Sequence, residues 1–122
     1  MDVVLWVVQG MLAVVFAGAG IMKLTKPRVE IAQQKGMGYA ADYTDTQIKS
    51  IGSAEVLGAL GLIVPWALGS VRALTPLAAL GLALLMIGAV STHVRRKEAF
   101  TTPAILGALA LFVAIGRAGQ LG

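Results

Sequence analysis

The chain contains no cysteine. That excludes a disulfide framework, a Cys-x-x-Cys redox pair and any thiolate metal site. Histidine occurs once, at His93, so a bis-histidine haem site is out of reach. The five methionines are scattered over different helix faces and read as packing rather than a copper site. No metal site and no cofactor is expected from these residues. Charge is scarce too. Asp, Glu, Lys and Arg make up 13% of the chain, about half the share of an ordinary soluble domain. The balance is basic, with a net charge of +4. The basic residues flank apolar segments, so positive-inside anchoring accounts for them and nucleic acid is not an expected partner.

What remains is apolar. Hydrophobic residues account for 57% of the 122 positions, and four runs approach the length needed to cross a bilayer. About twenty helical residues span about 30 Å, the thickness of the hydrocarbon layer. The fold class is therefore all-α, an integral membrane four-helix bundle, with residues 1–122 forming a single transmembrane domain in the lipid bilayer. The spans are predicted at 3–24, 45–67, 74–93 and 102–118. The first has a rival reading as a signal peptide, because Ala17-Gly18-Ala19 resembles a cleavage site. The missing basic lead-in, the length of the apolar run and the anchoring Lys23 favour a span.

The longest polar connection follows the first span. Pro27 suits a helix start and Gly36 a stop, which predicts a short interfacial helix over 27–35. Thr44 and Gln47 have capping-box spacing, so the second span begins near Asp45. Gly52, Ala54, Gly58 and Gly61 on that span permit close helix approach, within the chain or across a homodimer.

Loops one and three carry Lys23, Lys26, Arg28, Lys35, Lys49, Arg95, Arg96 and Lys97, against Arg72 and Arg117 on the other side. That asymmetry predicts cytoplasmic loops and both termini outside. Trp6 and Trp66 then fall together at the outer interface, as an aromatic belt requires.

The polar groups inside the spans form the candidate site. Glu55 lies about 10 Å inward from Ile48 along its helix. An ionisable group at that depth costs roughly 2.5–3.5 kcal/mol on insertion scales, so it needs a partner and marks a candidate functional site. Lys23 and His93 sit at the same end of the first and third spans. Gln9, Phe16 and Lys23 are spaced by seven; so are Ile48, Glu55 and Leu62, and Ala79, Met86 and His93. That spacing turns each set toward a bundle interior. The expected constellation is a Lys23–Glu55 ion pair with His93 bonded to either, Gln9 assigned to the same polar cluster, and Tyr39 or Tyr43 folded over it. Glu55 and His93 are the candidate catalytic pair. The bland alternatives are a structural ion pair, a snorkelling Lys23, an interfacial His93, an inter-helix Gln9 and an Arg117 marking the membrane boundary.

Three stretches resemble the DoxX-like family: LWVVQGMLAVVFAGAGIMKLTKP, IGSAEVLGALGLIVPW, and LTPLAALGLALLMIGAVSTHVRRKE. The closing GRAG adds to them. The most specific parts are Gly20 to Leu24, the Gly52-x-x-Glu55 pair and the His93 helix end. The resemblance implies a four-helix membrane bundle. Family members are associated with thiosulfate:quinone oxidoreductase complexes, with redox-stress membrane complexes and with assisting other membrane proteins. Related folds use cysteine pairs, which this chain lacks, so thiol chemistry is not expected here.

Three functions are open to such a chain. The first is an accessory or ligand-binding protein, taking a quinone or other lipophilic molecule or a membrane-protein partner, in a membrane redox complex. The second is an intramembrane acid–base enzyme using Glu55 and His93 on an apolar substrate. The third is a proton-linked transporter, which four short helices serve poorly without oligomerisation.

Overall fold

The computed structural model describes residues 2–34 and 37–121. Lys35 and Gly36, the predicted end and stop of the interfacial helix, lie outside the described residues. Four long apolar helices, α1 (Asp2–Thr25), α3 (Asp45–Leu68), α4 (Leu74–Arg95) and α5 (Thr101–Ala118), are each long and apolar enough to cross a membrane. The short helix α2 (Arg28–Ala32) and a 3-10 turn at Gly38–Asp42 fill the first connection. No strand occurs among the described residues. The chain is an all-α bundle in which α1 packs on α3, α3 on α4, α4 on α5 and α5 back on α1.

Heptad spacing decides which face points inward. All nine residues of the three seven-spaced sets are buried, from Gln9, Phe16 and Lys23 to Ala79, Met86 and His93. Between the polar ends lies an apolar core built on Leu12, Phe16, Leu62, Leu82, Met86 and Val113. The outer faces carry exposed Val, Leu and Ile, the surface a lipid environment covers.

Small residues set how closely the helices approach. A Cβ on Gly20 would stand 2.6 Å from the Gly52 carbonyl oxygen, and one on Gly52 would stand 2.9 Å from Lys23 Cβ. The α1–α3 contact therefore depends on both glycines lacking side chains. Gly58 and Gly61 face Leu82 and Ala78 of α4 in the same way. These three glycines of α3 are thus occupied by packing within the chain.

Local signals place the ends of α3. Thr44 accepts a hydrogen bond from the Gln47 backbone, while the Gln47 side chain accepts from the Thr44 N–H. This completes the capping box that their spacing predicts. Gly69, at φ 66°, ends the helix in the left-handed conformation. Pro65 sits inside α3 rather than at its stop. It has no N–H to give the Gly61 carbonyl, and the Thr75 hydroxyl donates to that carbonyl instead, at 2.8 Å. The same bond ties the start of α4 to α3.

The interfacial helix is shorter than the predicted 27–35. Pro27 stands just before α2 with extended backbone, and the chain leaves the helix at Gln33. Ile31, the one fully buried residue of α2, packs with Ala40 and Ile48. That small cluster pulls the connection down over the end of the bundle.

Candidate functional site

The Lys23 ammonium donates to Glu55 Oε1 at 2.8 Å, and both side chains are about 95% buried. Lys23 comes from the last turn of α1 and Glu55 from near the middle of α3, so the pair lies at the level of the α1 C-terminus. The carbonyls of Lys23 and Lys26 at the end of α1 accept bonds of 2.6 and 2.7 Å from Lys49. A second cation thus caps this helix C-terminus, where positive charge is favoured, and Lys23 is left free to point inward.

The connection after α1 covers the pair. Tyr39, on the 3-10 turn, faces Lys23 and Glu55 with its hydroxyl end and stands against the His93 ring, 5.0 Å between centroids. Burial raises the Tyr39 pKa above its ordinary value, and the nearby Lys23 charge offsets this only in part. The phenol is therefore held in its neutral form. Tyr43 stands edge-on to Tyr39. Its hydroxyl lies 2.6 Å from Thr92 Oγ1. The Thr92 hydrogen is committed to the Gly88 carbonyl, so Tyr43 is the donor in that bond. Arg96 donates to Asp42 at 2.8 Å. The cover is thus fastened to the end of α4 at three points: Tyr39–His93, Tyr43–Thr92 and Asp42–Arg96.

Lys23 and Glu55 meet as their depth and spacing predict. His93 lies in the same end of the bundle, but its contacts run to Tyr39 and outward to Glu98. Its Nδ1 is 3.3 Å from Glu98 Oε1, within ion-pair distance but without hydrogen-bond alignment. Glu98 also stands 3.2 Å from Arg96 Nε. His93 therefore links the buried pair, through Tyr39, to a charged surface loop.

Gln9 does not belong to this group. It sits about 21 Å away along α1, fourteen residues before Lys23, and joins a second polar centre at the opposite end. Its side-chain N–H donates to the Leu62 carbonyl at 2.5 Å, and its oxygen accepts from Arg117 Nε at 2.7 Å. Arg117 is completely buried rather than marking a boundary. It also donates to Asp2 at 2.6 Å and to Gln120 at 2.5 Å. Its guanidinium stands 4.6 Å from the Trp66 ring and 5.3 Å from the Trp6 ring. Sequence reasoning placed Trp6 and Trp66 at one level but missed that they enclose an arginine. Gln9 was the available clue, since an amide on an inward face needs both a donor and an acceptor nearby.

Among the described residues no group of three or more His, Asp or Glu side chains is arranged to hold a metal. Two open apolar grooves lie along the outer surface. One, of about 510 Å³, is lined by Leu57, Gly58, Gly81 and Leu82 between α3 and α4. The other, of about 450 Å³, runs between α4 and α5 past Met86 and Gly107.

Four apolar helices around a buried Lys–Glu pair, with a second buried cation at the far end, define a small multi-pass integral membrane bundle. The chain belongs to the DoxX-like family, whose sequence profile matches residues 7–115. No curated protein and no solved structure matches the chain.

Proposed function

We propose that this protein is an accessory, ligand-binding member of a membrane complex, and that the Lys23–Glu55 end of the bundle receives the polar head of a lipophilic molecule such as a quinone. The observation that carries this reading is the Tyr39 cover. A structural ion pair needs only burial, whereas this pair lies under a neutral phenol on a short turn fastened to α4 by side chains alone. Lifting that turn exposes an ammonium, a carboxylate, a phenol and an imidazole together. The groove between α3 and α4 borders the helix that carries Glu55 and suits an isoprenoid or acyl tail.

The whole chain acts as one transmembrane domain, with loops one and three in the cytoplasm and both termini outside. The charge asymmetry supports that orientation. Trp6 and Trp66 meet around Arg117 at the end opposite the basic loops and mark a membrane–water interface there. The site then opens toward the cytoplasmic leaflet.

Decyl-ubiquinone tests the binding. Added to detergent-solubilised wild type, it raises the unfolding temperature, and the rise is lost in folded Glu55→Gln. An equal rise in both proteins contradicts the reading.

One observation favours a second reading, acid–base catalysis within the membrane. Tyr39, His93 and Glu98 stand in succession from the buried pair to the surface loop, titratable groups along which a general acid would exchange its proton once hydrogen bonds or water joined them. Turnover abolished in folded Glu55→Gln and slowed in His93→Gln would favour the enzyme.

A further inference from the structure

The second polar centre has a charge imbalance that its role as a helix pin does not explain. Arg117 and Arg72 each place a guanidinium 4.6 Å from the centre of the same Trp66 ring. Among the described residues, the only carboxylate paired at this end is that of Asp2, bound to Arg117 and 63% exposed. Two cations at the edge of a low-dielectric layer therefore share, among the described residues, one loosely held anion. Among the described residues, Arg117 Nη2 is buried and has no hydrogen-bond acceptor. A pin alone calls for one guanidinium and its acceptors, and Arg72 adds a second cation that repels it.

The turn that carries Arg72 is built against backbone preference. Val71 adopts φ 51°, a left-handed conformation that is costly for a β-branched residue. It follows Gly69 at φ 66° in the tight link between α3 and α4. The strained turn sets Arg72 over Trp66 while leaving it exposed. The guanidinium is thus presented to solvent or headgroups over the indole, and among the described residues it donates to no acceptor. Arginine in that pose suits bidentate recognition of phosphate oxygens. The half-buried Trp66 and Trp6 belong to the membrane–water interface, where phosphate is the abundant anion.

We infer that Arg72, Trp66 and Arg117 form an anion site for a phosphate group at the end of the bundle opposite Glu55. Arg72 makes the direct contact. Arg117 supplies a fixed positive field from below, and Asp2 is an internal competitor that balances it when the site is empty. The phosphate belongs to a lipid headgroup or to a free ion, and the two are separable by experiment.

Native mass spectrometry and thermal unfolding of the full chain test this with phosphatidylglycerol, phosphatidylcholine and inorganic phosphate as probes. The wild type retains phosphatidylglycerol over phosphatidylcholine. Arg72→Gln, an exposed substitution that leaves Arg117 and the bundle intact, weakens that retention roughly tenfold, the scale of one charge-assisted contact. Asp2→Asn strengthens it by removing the competing carboxylate, a gain that a purely structural Asp2 would not produce. Stabilisation by inorganic phosphate alone, lost in Arg72→Gln, identifies a free-anion site. Stabilisation confined to phosphatidylglycerol identifies a lipid site. No preference among the three probes in wild type overturns the inference, and so does full retention in Arg72→Gln or weakened retention in Asp2→Asn.

Discussion

Glu55 and Lys23 lie deep enough that each is costly without the other. Removing one partner leaves an uncompensated buried charge, at a cost of about 3–5 kcal/mol, whereas replacing both with apolar residues of similar size is close to neutral. Glu55→Leu is therefore expected to lower the unfolding temperature sharply in detergent, and Lys23→Met/Glu55→Leu to recover most of the loss. A double variant as unstable as the single one would contradict the pairing. Tyr39 gives a second residue-scale prediction. Its folded-state pKa is raised, so folding favours the neutral phenol. That contribution is fully present below the ordinary phenol pKa of about 10 and is lost as pH rises through the higher folded value. Stability should fall more steeply above about pH 10 in wild type than in Tyr39→Phe, measured by thermal unfolding across alkaline pH. The Lys23–Glu55 pair was legible in the sequence because depth and seven-residue spacing are both properties of a single helix. Arg117 was not. Its partners Gln9 and Asp2 lie at the other end of the chain, and no local pattern distinguishes a buried helix-end arginine from a snorkelling one.

Among the elements, α3 carries the most constraint. It meets α1 through Gly20 and Gly52, meets α4 through Gly58 and Gly61, and contains a proline whose missing bond is replaced by Thr75. Gly20→Ala puts a methyl 2.6 Å from a backbone oxygen, so α1 must move off α3. Overpacking of this kind costs about 1–3 kcal/mol, and here it also pulls Lys23 away from Glu55. The variant should lose both stability and ligand retention. Thr75→Val should cost about 1 kcal/mol, because it leaves the Gly61 carbonyl without a donor; chemical denaturation in detergent reads both effects. The sequence announced the capping box at Thr44 and the small faces of α3. It did not announce the 3-10 turn at Gly38–Asp42. That turn is held by side chains reaching to α4, Tyr43 to Thr92 and Arg96 to Asp42 across some fifty positions, and no local pattern encodes contacts of that range.

At the scale of the whole molecule, two polar centres sit at opposite ends of an apolar core, each joining helices distant in sequence. Lys23–Glu55 fastens α1 to α3, and Gln9–Arg117 fastens α1 to α5. The absence of cysteine makes the orientation simple to test. Single cysteines placed at Ser70 and at Lys97 should differ in intact cells: the first labelled by a membrane-impermeant maleimide, the second protected. The reverse pattern would turn the bundle over and put the Tyr39 cover outside. The central claim is that the covered Lys23–Glu55 end holds a lipophilic molecule, and native mass spectrometry of wild type beside Glu55→Gln addresses it most directly. The account predicts a co-purified lipophilic molecule on the wild type and a folded variant without it. A variant that keeps the same molecule, or one that unfolds beside a wild type carrying none, would reduce the pair to a structural pin.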